Sequence, residues 1–228
     1  MSSEETASSS RKIEWSRKMR IRNKPWAMDY LKDHDHIVDI TNTYKQNIHD
    51  FFEEEQPLHI EIGTGMGTFI TELAKRNPDI NYLGIELDKN IIIRVVEKIV
   101  EQDLKNVRLA LLDANFISEY ILPDTVSKVY LNFSDPWPKT RHAKRRLTHH
   151  TFLSQYESIL KSGCPLQFKT DNRGLFEYSL QSLNAYGMKF EEIKLDLHDD
   201  EPEDNIRTEY EEKFSGNGNR IYLLKASF

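Results

Sequence analysis

A stretch in the second half of the chain combines a carboxylate, a tryptophan between two prolines and a dense group of cations. It reads NFSDPWPKTRHAKRR, residues 132–146. Each proline has a fixed φ and biases the residue before it, here Asp135 and Trp137, towards extended geometry. Such a stiff loop would hold an acid and a ring at defined angles, and a base stacked on the ring would gain roughly 1–3 kcal/mol. A core tryptophan in a rigid connection would explain Trp137 equally well.

Basic residues follow this loop at high density: Lys139, Arg141, Lys144, Arg145 and Arg146. A run of this kind is most often a solvated charged face. Beside a slot for a nucleobase, it is better interpreted as a set of phosphate contacts. The nearby His142, His149 and His150 have no carboxylate or cysteine at ligand spacing, so the sequence predicts no metal site.

A glycine-rich turn, EIGTGMG at 61–67, follows an apolar strand-like run. Gly63 and Gly65 would let the backbone turn sharply and approach a ligand closely. The turn alone is a weak signal. Its G-x-G-x-G spacing differs from the dinucleotide form G-x-G-x-x-G, which argues against NAD or FAD without excluding them.

Four carboxylates end predicted strands: Glu61, Glu86, Asp113 and Asp135. In a doubly wound sheet these strand ends line one crevice, where an acid at the end of the second strand can take both ribose hydroxyls. Four acids would repel a pyrophosphate and would suit the cationic sulfonium of S-adenosylmethionine. Asp is also a favoured helix N-cap, so capping is the alternative role for Asp113 and Asp135.

Alternating strand and helix patterns position these residues. Seven segments are predicted as strands: LHIEIGTG, INYLGIEL, VRLALLDA, VSKVYLNF, PLQFKTD, FEEIKLDL and RIYLLKAS. Apolar residues at helical spacing lie between several of them, including a helix after the basic segment with Leu147, Phe152 and Tyr156 on one face, and the helix after PLQFKTD is predicted to stop at Gly187. Strands that alternate with helices indicate right-handed βαβ units and a parallel, doubly wound sheet. We predict one α/β domain over residues 36–228.

The charges are segregated along a chain whose net charge is -6. Basic residues crowd residues 11–24, and we predict a flexible basic arm over 1–35, of which 1–18 could be an extension. A local basic patch can bind a polyanion even on an acidic protein, because salt screens electrostatic interactions beyond about 10 Å and distant acidic residues then have little effect. The chain has one cysteine, Cys164, and no apolar run long enough for a bilayer, so we expect a cytoplasmic protein without membrane contact.

The motifs together resemble one family. EIGTGMGTF, GIE, LDA, NFSDPWPKTRHAKRR, FKTDNRGLF and TEYEEKF are similar to those of the bacterial tRNA (guanine-N7)-methyltransferases, from about Met19 to the end of the chain. The resemblance implies a Rossmann-like class I methyltransferase fold: a doubly wound, mostly parallel seven-stranded sheet with an antiparallel strand near the C-terminus. It also implies methyl transfer from S-adenosyl-L-methionine to N7 of a guanine at position 46, in the variable loop of tRNA.

Site residues are carried over only onto matching positions. Cofactor contacts are then Glu61, Gly63, Gly65, Glu86, Asp113 and Asp135, and Asp135 is also catalytic. Substrate contacts are Lys139, Asp171, Thr208, Glu209, Tyr210 and Glu211. RNA contacts are Arg141, His142, Ala143, Lys144, Arg145 and Arg146. Thr140 departs from the family pattern, where a further basic residue is common, which puts the strength of RNA binding in question.

Several alternatives stay open from the sequence. Asp171 could cap the following helix, and Thr208 with Glu211 fits a capping box. A nucleotide-dependent oxidoreductase, a non-catalytic RNA-binding module and a methyltransferase for another guanine, such as an mRNA cap, would all suit parts of the pattern. The protein could act as a monomer or a homodimer.

Overall fold

The computed structural model describes residues 23–228. Its strands are β1 Val38–Asp39, β2 Leu58–Ile62, β3 Asn81–Glu86, β4 Val107–Leu111, β5 Val126–Asn132, β6 Pro165–Thr170, β7 Lys189–Lys194 and β8 Tyr222–Ser227. Its α-helices are α1 Ala27–Lys32, α2 Thr68–Arg76, α3 Lys89–Glu101, α4 Ile117–Tyr120, α5 His150–Ile159, α6 Arg173–Tyr186 and α7 Glu209–Ser215. Short 3-10 helices include Ala114–Phe116, Thr140–Arg145 and Leu197–Asp200.

The strands form one sheet in the order β1-β4-β3-β2-β5-β6-β8-β7. The pairs from β1 to β6 are parallel, and β8 is antiparallel to both of its neighbours. The chain order reverses between β2 and β5, and ligands of open α/β sheets bind at the carboxyl ends of strands at such a switch point.

All seven predicted strands are present, but the sheet has eight strands rather than the predicted seven. The added strand, β1, contains Val38 and Asp39 and pairs with β4. Two residues are too few for an alternating or apolar pattern to show in the sequence, so only the long-range pairing with β4 reveals this strand.

The core packs on both faces of the sheet because successive side chains of a strand point in opposite directions. Tyr130 belongs to a cluster with the apolar residues of α2 and α3, whereas its neighbours Val129 and Leu131 belong to a second cluster with those of α5 and α6. Because both faces are buried, the sequences of the central strands are largely apolar runs.

The helices have local start and stop signals. Asp88 caps α3 by accepting a hydrogen bond from the backbone N–H of Asn90. Asn172 caps α6 by accepting one from the backbone N–H of Leu175. Gly187 ends α6 with a φ of 97°, as predicted. Leu147 was expected within the helix that follows the basic segment, but it precedes α5 because His149 is the N-cap.

Part of the predicted N-terminal arm is described and packs on the rest of the protein. Ala27 and Leu31 of α1 are fully buried, and the backbone N–H of Lys24 donates to Asn90 Oδ1 at 2.8 Å. Residues 1–22, for which flexibility was predicted, lie outside the described residues. The boundary of the arm at residue 35 stays a prediction. Within the described part of the chain, no helix combines the length and apolar character that a membrane crossing requires.

Candidate active site

A cleft of about 970 Å³ lies at the carboxyl ends of the central strands. Its walls come from the turn after β2, the end of β3, the loop after β5 and the start of α7. Predicted site residues that line it are Glu61, Gly63, Gly65, Glu86, Asp135, Arg145, Thr208, Glu209 and Tyr210. Predicted residues that are not part of its lining are Asp113, Lys139, Arg141, His142, Ala143, Lys144, Arg146, Asp171 and Glu211.

Glu61 supplies a buried carboxylate at the floor of this cleft. Its Oε1 accepts from Asn132 Nδ2 at 2.9 Å, while its Oε2 is buried without a hydrogen-bond partner. Burial raises the pKa of Glu61 to about 8. Thr64 Oγ1 and Asn132 Oδ1, on residues that also line the cleft, are buried and unpaired. Buried polar atoms are rarely left unpaired, so this group fits a polar, cationic ligand.

The glycine turn and Glu86 are held together. Gly63 and Gly65 have φ values of 79° and 53°, which a residue with a side chain adopts only with strain. The backbone N–H of Gly65 donates to Glu86 Oε2 at 3.3 Å, and the N–H of Leu87 donates to Oε1 at 2.8 Å. Burial raises the pKa of the Glu86 carboxyl. The turn therefore places this acid at a fixed position on the wall of the cleft.

Asp113 and Asp135 differ in their surroundings. Asp113 caps the 3-10 helix Ala114–Phe116 by accepting from the N–H of Asn115 at 2.9 Å. Asp135 is exposed, lines the cleft and is not a helix cap, since Lys139 occupies the N-cap position of the next helix. Capping, the alternative for both residues, therefore applies only to Asp113. A cofactor contact by Asp113 stays a prediction.

The loop after β5 presents Trp137 at the cleft, where the indole is partly buried. Its φ is 41°, so the predicted extended geometry is wrong for this residue. Arg146 explains the difference, because its Nε and Nη2 donate to the carbonyls of Pro136 and Trp137 at 3.1 and 3.0 Å. A left-handed non-glycine residue costs about 1–3 kcal/mol, and hydrogen bonds from a charged group stabilise by about 1.5–3 kcal/mol each. The tertiary contacts outweigh the local preference.

The basic segment forms the 3-10 helix Thr140–Arg145. Its exposed cations are Lys139, Arg141, Lys144 and Arg145, while His142, Ala143 and Arg146 are partly buried. The guanidinium of Arg145 lies over the Trp137 ring at 4.8 Å, and His142 packs edge-on against that ring at 5.8 Å. Four cations therefore lie at the surface beside the cleft, and a fifth, Arg146, points into the loop.

The start of α7 forms another wall of the cleft. Thr208 is the N-cap and accepts from the N–H of Glu211 at 2.9 Å. Tyr210 is 39% exposed at the cleft, and Glu209 is bonded to Thr68 and, at 2.9 Å, to Lys98. Only half of the predicted capping box is present, because the Glu211 carboxylate bonds elsewhere.

Glu211 is fully buried and forms an ion pair with the equally buried Lys169 at 2.6 Å. Its other oxygen contacts His198 Nε2 at 3.0 Å and accepts from Asn205 Nδ2 at 2.9 Å. Glu211 could contact a substrate directly only if the start of α7 moved away from the core. In the structure, Glu211 instead anchors α7 to β6.

Asp171 follows β6, and its Oδ2 accepts from Asn219 Nδ2 at 3.4 Å. Burial raises the pKa of this carboxyl. The residue that caps α6 is the neighbouring Asn172, so the capping alternative for Asp171 is wrong.

One group of described residues has spacing that could suit a metal ion. Ligand atoms of His198, Glu201 and Glu211 lie within 4.8 Å of one another. Both carboxylates already have cationic partners, since Lys169 pairs with Glu211 and Arg207 with Glu201. We do not assign a metal there.

Sequence reasoning missed Asn132, Lys169 and the internal contacts of Arg146. Asn132 and Lys169 are polar residues within the last two positions of buried strands, and a polar residue there requires a partner. That signal was visible in YLN and QFKT, but the partners Glu61 and Glu211 lie 71 and 42 residues away.

Sequence comparison with known proteins indicates the same kind of function as the cleft. A family described as a putative methyltransferase matches residues 55–224. The tRNA (guanine-N(7)-)-methyltransferase of Macrococcus caseolyticus (strain JCSC5402) is 59% identical over 210 residues, which cover 92% of this chain and 100% of that protein. The chain belongs to the tRNA (guanine-N(7)-)-methyltransferase family. Relatives of the same name from Staphylococcus carnosus (strain TM300) and Staphylococcus aureus (strain MSSA476) are 54% and 53% identical, with 92% of this chain and 100% and 98% of those proteins covered.

Solved structures place this family member among Rossmann-like methyltransferases. An antibiotic-related methyltransferase superposes with a TM-score of 0.61 at 19% identity, covering 84% of this chain and 95% of the other. The 16S rRNA methyltransferase KamB gives 0.60 at 12% identity, covering 80% and 92%. At these identities the likeness concerns the fold alone. It confirms the predicted fold class, and the relatives confirm the predicted family.

Proposed function

We propose that this protein transfers a methyl group from S-adenosyl-L-methionine to N7 of a guanine in tRNA, in the variable loop. Family membership supports the reaction class. The observation that carries the proposal is a cleft lined by a buried, half-paired carboxylate, a tryptophan and an exposed acid, with a group of exposed cations at its edge. These features match a cationic cofactor, a planar base and a polyanion.

The cofactor would lie against the glycine turn. Glu61 and Glu86 would bind its polar groups, and Gly63 and Gly65 would let the backbone approach it. Bound there, S-adenosyl-L-methionine would supply an electrophilic methyl group. Asp113 follows β4, which pairs with β3, and both hydrogen bonds from Asn115 are accepted by its Oδ1, so Oδ2 would make the proposed contact.

The loop after β5 would position the guanine. N7 of neutral guanine carries no proton and has an in-plane lone pair, so the residues need not remove a proton from it. Asp135 would orient the base through its N1–H or amino group and stabilise the positive charge that develops on the ring. Trp137 would stack on the base or on its neighbour, and Tyr210 lines the same cleft. Alignment, and not acid–base chemistry, is the contribution of this loop.

The tRNA backbone would bind to the exposed cations Lys139, Arg141, Lys144 and Arg145, with His142 and Ala143 in the same surface. Asp171, Thr208 and Glu209 stay proposed substrate contacts. A cytoplasmic location is part of the proposal, and both a monomer and a homodimer are compatible with it.

Labelled methyl transfer to unmodified tRNA transcripts tests the proposal. We expect label in 7-methylguanosine, and none when the variable-loop guanine is replaced by adenine. Absence of label from the intact transcript would favour a non-catalytic RNA-binding module, and label in both transcripts would indicate another guanine. Calorimetry with S-adenosylhomocysteine and with NAD separates the proposal from an oxidoreductase, because only the former should bind.

A further inference from the structure

We infer that Arg146 is a positioning residue that holds the Trp137 loop at the cleft and is not a phosphate contact. The inference deepens the proposed function and rests on it. Arg146 comes last in a run of cations that sequence reasoning assigned to RNA as one group. Its surroundings differ from those of its neighbours, and that difference assigns it a separate role.

The guanidinium of Arg146 is directed into the protein. Its Nε and Nη2 donate to the carbonyls of Pro136 and Trp137, two consecutive residues of the loop. Its planar face lies over the ring of Tyr178, on α6, at 4.2 Å. Arginine recognises phosphate best through a pair of parallel N–H groups, and in Arg146 one such pair is already used by the two carbonyls.

The contacts of Arg146 act on a residue of this loop whose backbone is in the left-handed region. Trp137 has a φ of 41°, and the proline that follows it fixes the next turn of the chain. Arg146 fixes the carbonyl of Trp137, so it sets the angle at which the indole faces the cleft. Through Tyr178, the same side chain ties the loop to α6, which packs against β6.

Lys144 and Arg145 provide the contrast. Both are exposed, and the guanidinium of Arg145 lies over the Trp137 ring at the edge of the cleft rather than on backbone carbonyls. A cation that binds a phosphate displaces counterions from the nucleic acid. Removal of that cation therefore reduces the steepness of log affinity against log salt concentration by about 1. A cation bonded to carbonyls of its own chain has no such effect.

The test compares Arg146→Gln and Arg146→Lys with Lys144→Gln in the full-length protein. Single-turnover methyl transfer at saturating tRNA and the salt dependence of tRNA affinity are measured for each. We expect both Arg146 variants to slow transfer by about ten- to a hundredfold, because a displaced loop misaligns the base. We expect an unchanged salt slope for them, and a slope lower by about 1 for Lys144→Gln.

Arg146→Lys is the decisive variant, since lysine keeps the charge but cannot span two carbonyls. Near wild-type transfer by Arg146→Lys, or a salt slope lowered by about 1 in Arg146→Gln, would overturn the inference. If the Arg146 variants do not fold, Tyr178→Leu removes the ring beneath the guanidinium and should slow transfer at an unchanged slope; normal transfer by it would count against the inference. Wild-type protein that fails to methylate tRNA would instead contradict the proposed function.

Discussion

Glu61 shows how one side chain can select a cofactor. A carboxyl that is fully buried and has one unpaired oxygen is held largely in its neutral form, with a pKa of about 8. A ligand ammonium or sulfonium next to Glu61 favours the charged form and lowers that pKa. Binding of a cation should therefore expel the proton of Glu61.

This coupling predicts proton release when S-adenosylhomocysteine, which carries an ammonium group, binds near pH 7. Calorimetry in buffers of different ionisation enthalpy should detect up to about one proton released per ligand. The affinity should rise with pH up to about 8, by at most about tenfold per pH unit, because the pKa of Glu61 is raised to about 8 in the free protein.

Glu61→Gln is the matched control, because it keeps the size of the side chain and removes its proton equilibrium. The variant should bind more weakly and should show neither the proton release nor the pH dependence. Equal proton release by the variant and the wild type would show that another group titrates.

At the scale of elements, the start of α7 depends on an ion pair in the interior. Lys169 of β6 and Glu211 of α7 have no exposed side-chain surface, and Lys169 Nζ also donates to the carbonyl of Ile206 at 2.9 Å. The pair fixes α7, and with it the Thr208–Tyr210 wall of the cleft. Two buried charges are tolerated when each satisfies the other, and the loss of one leaves the other unpaired.

Lys169→Met should therefore destabilise the protein by about 3–5 kcal/mol, because the Glu211 carboxylate stays buried without the Lys169 ammonium and Oε2 loses its partner. Urea unfolding followed by circular dichroism measures the change. Lys105→Gln is the control, since Lys105 pairs with Asp103 at the surface, where water screens the pair, and its loss should change the free energy of unfolding far less. A similarly small change in Lys169→Met would mean that the interior pair does not hold α7.

Elements could be predicted from sequence wherever the signal was local. The apolar runs of β2 to β6 and the stop at Gly187 depend on neighbouring residues, and both were predicted. The pairing of Val38–Asp39 with β4 and the Lys169–Glu211 pair depend on residues far apart in the chain, and the φ of Trp137 depends on Arg146, nine residues further on. Local preference predicted an extended Trp137, and contacts from Arg146 overrode it.

For the whole molecule, sheet topology and charge segregation combine at one edge. The strand order reverses between β2 and β5, which opens the cleft, and the basic segment follows β5 directly. In the proposed function, a net charge of -6 would keep tRNA away from most of the surface, while the local cations would attract it beside the cleft. The sequence pattern predicted that acids at the strand ends would line the cleft. It did not show that Asp113, unlike the other three, lies outside the lining, because the orientation of Asp113 depends on the turn that it caps.

The predicted N-terminal arm can be tested at this scale. Residues 1–22 contain Arg11, Lys12, Arg17, Lys18, Arg20 and Arg22, and Lys24 contacts Asn90 at the cleft. Removal of residues 1–22 should lower tRNA affinity and its salt slope, since phosphate contacts are lost. S-adenosylhomocysteine affinity should stay the same.

Removal of residues 2–10 alone is the control, because that segment contains no lysine or arginine. It should leave the salt slope of tRNA binding unchanged. If the longer deletion also leaves the slope unchanged, the arm does not bind tRNA.

The proposed active site depends most on Asp135, which would orient the guanine at the cleft. The direct test is the single-turnover rate of methyl transfer to tRNA by Asp135→Asn, measured together with S-adenosylhomocysteine affinity. We predict a rate lower by about 10²–10³, as for other groups that stabilise developing charge, with ligand affinity largely intact. A rate close to that of the wild type would contradict the proposed role of Asp135 and the arrangement of the site built on it.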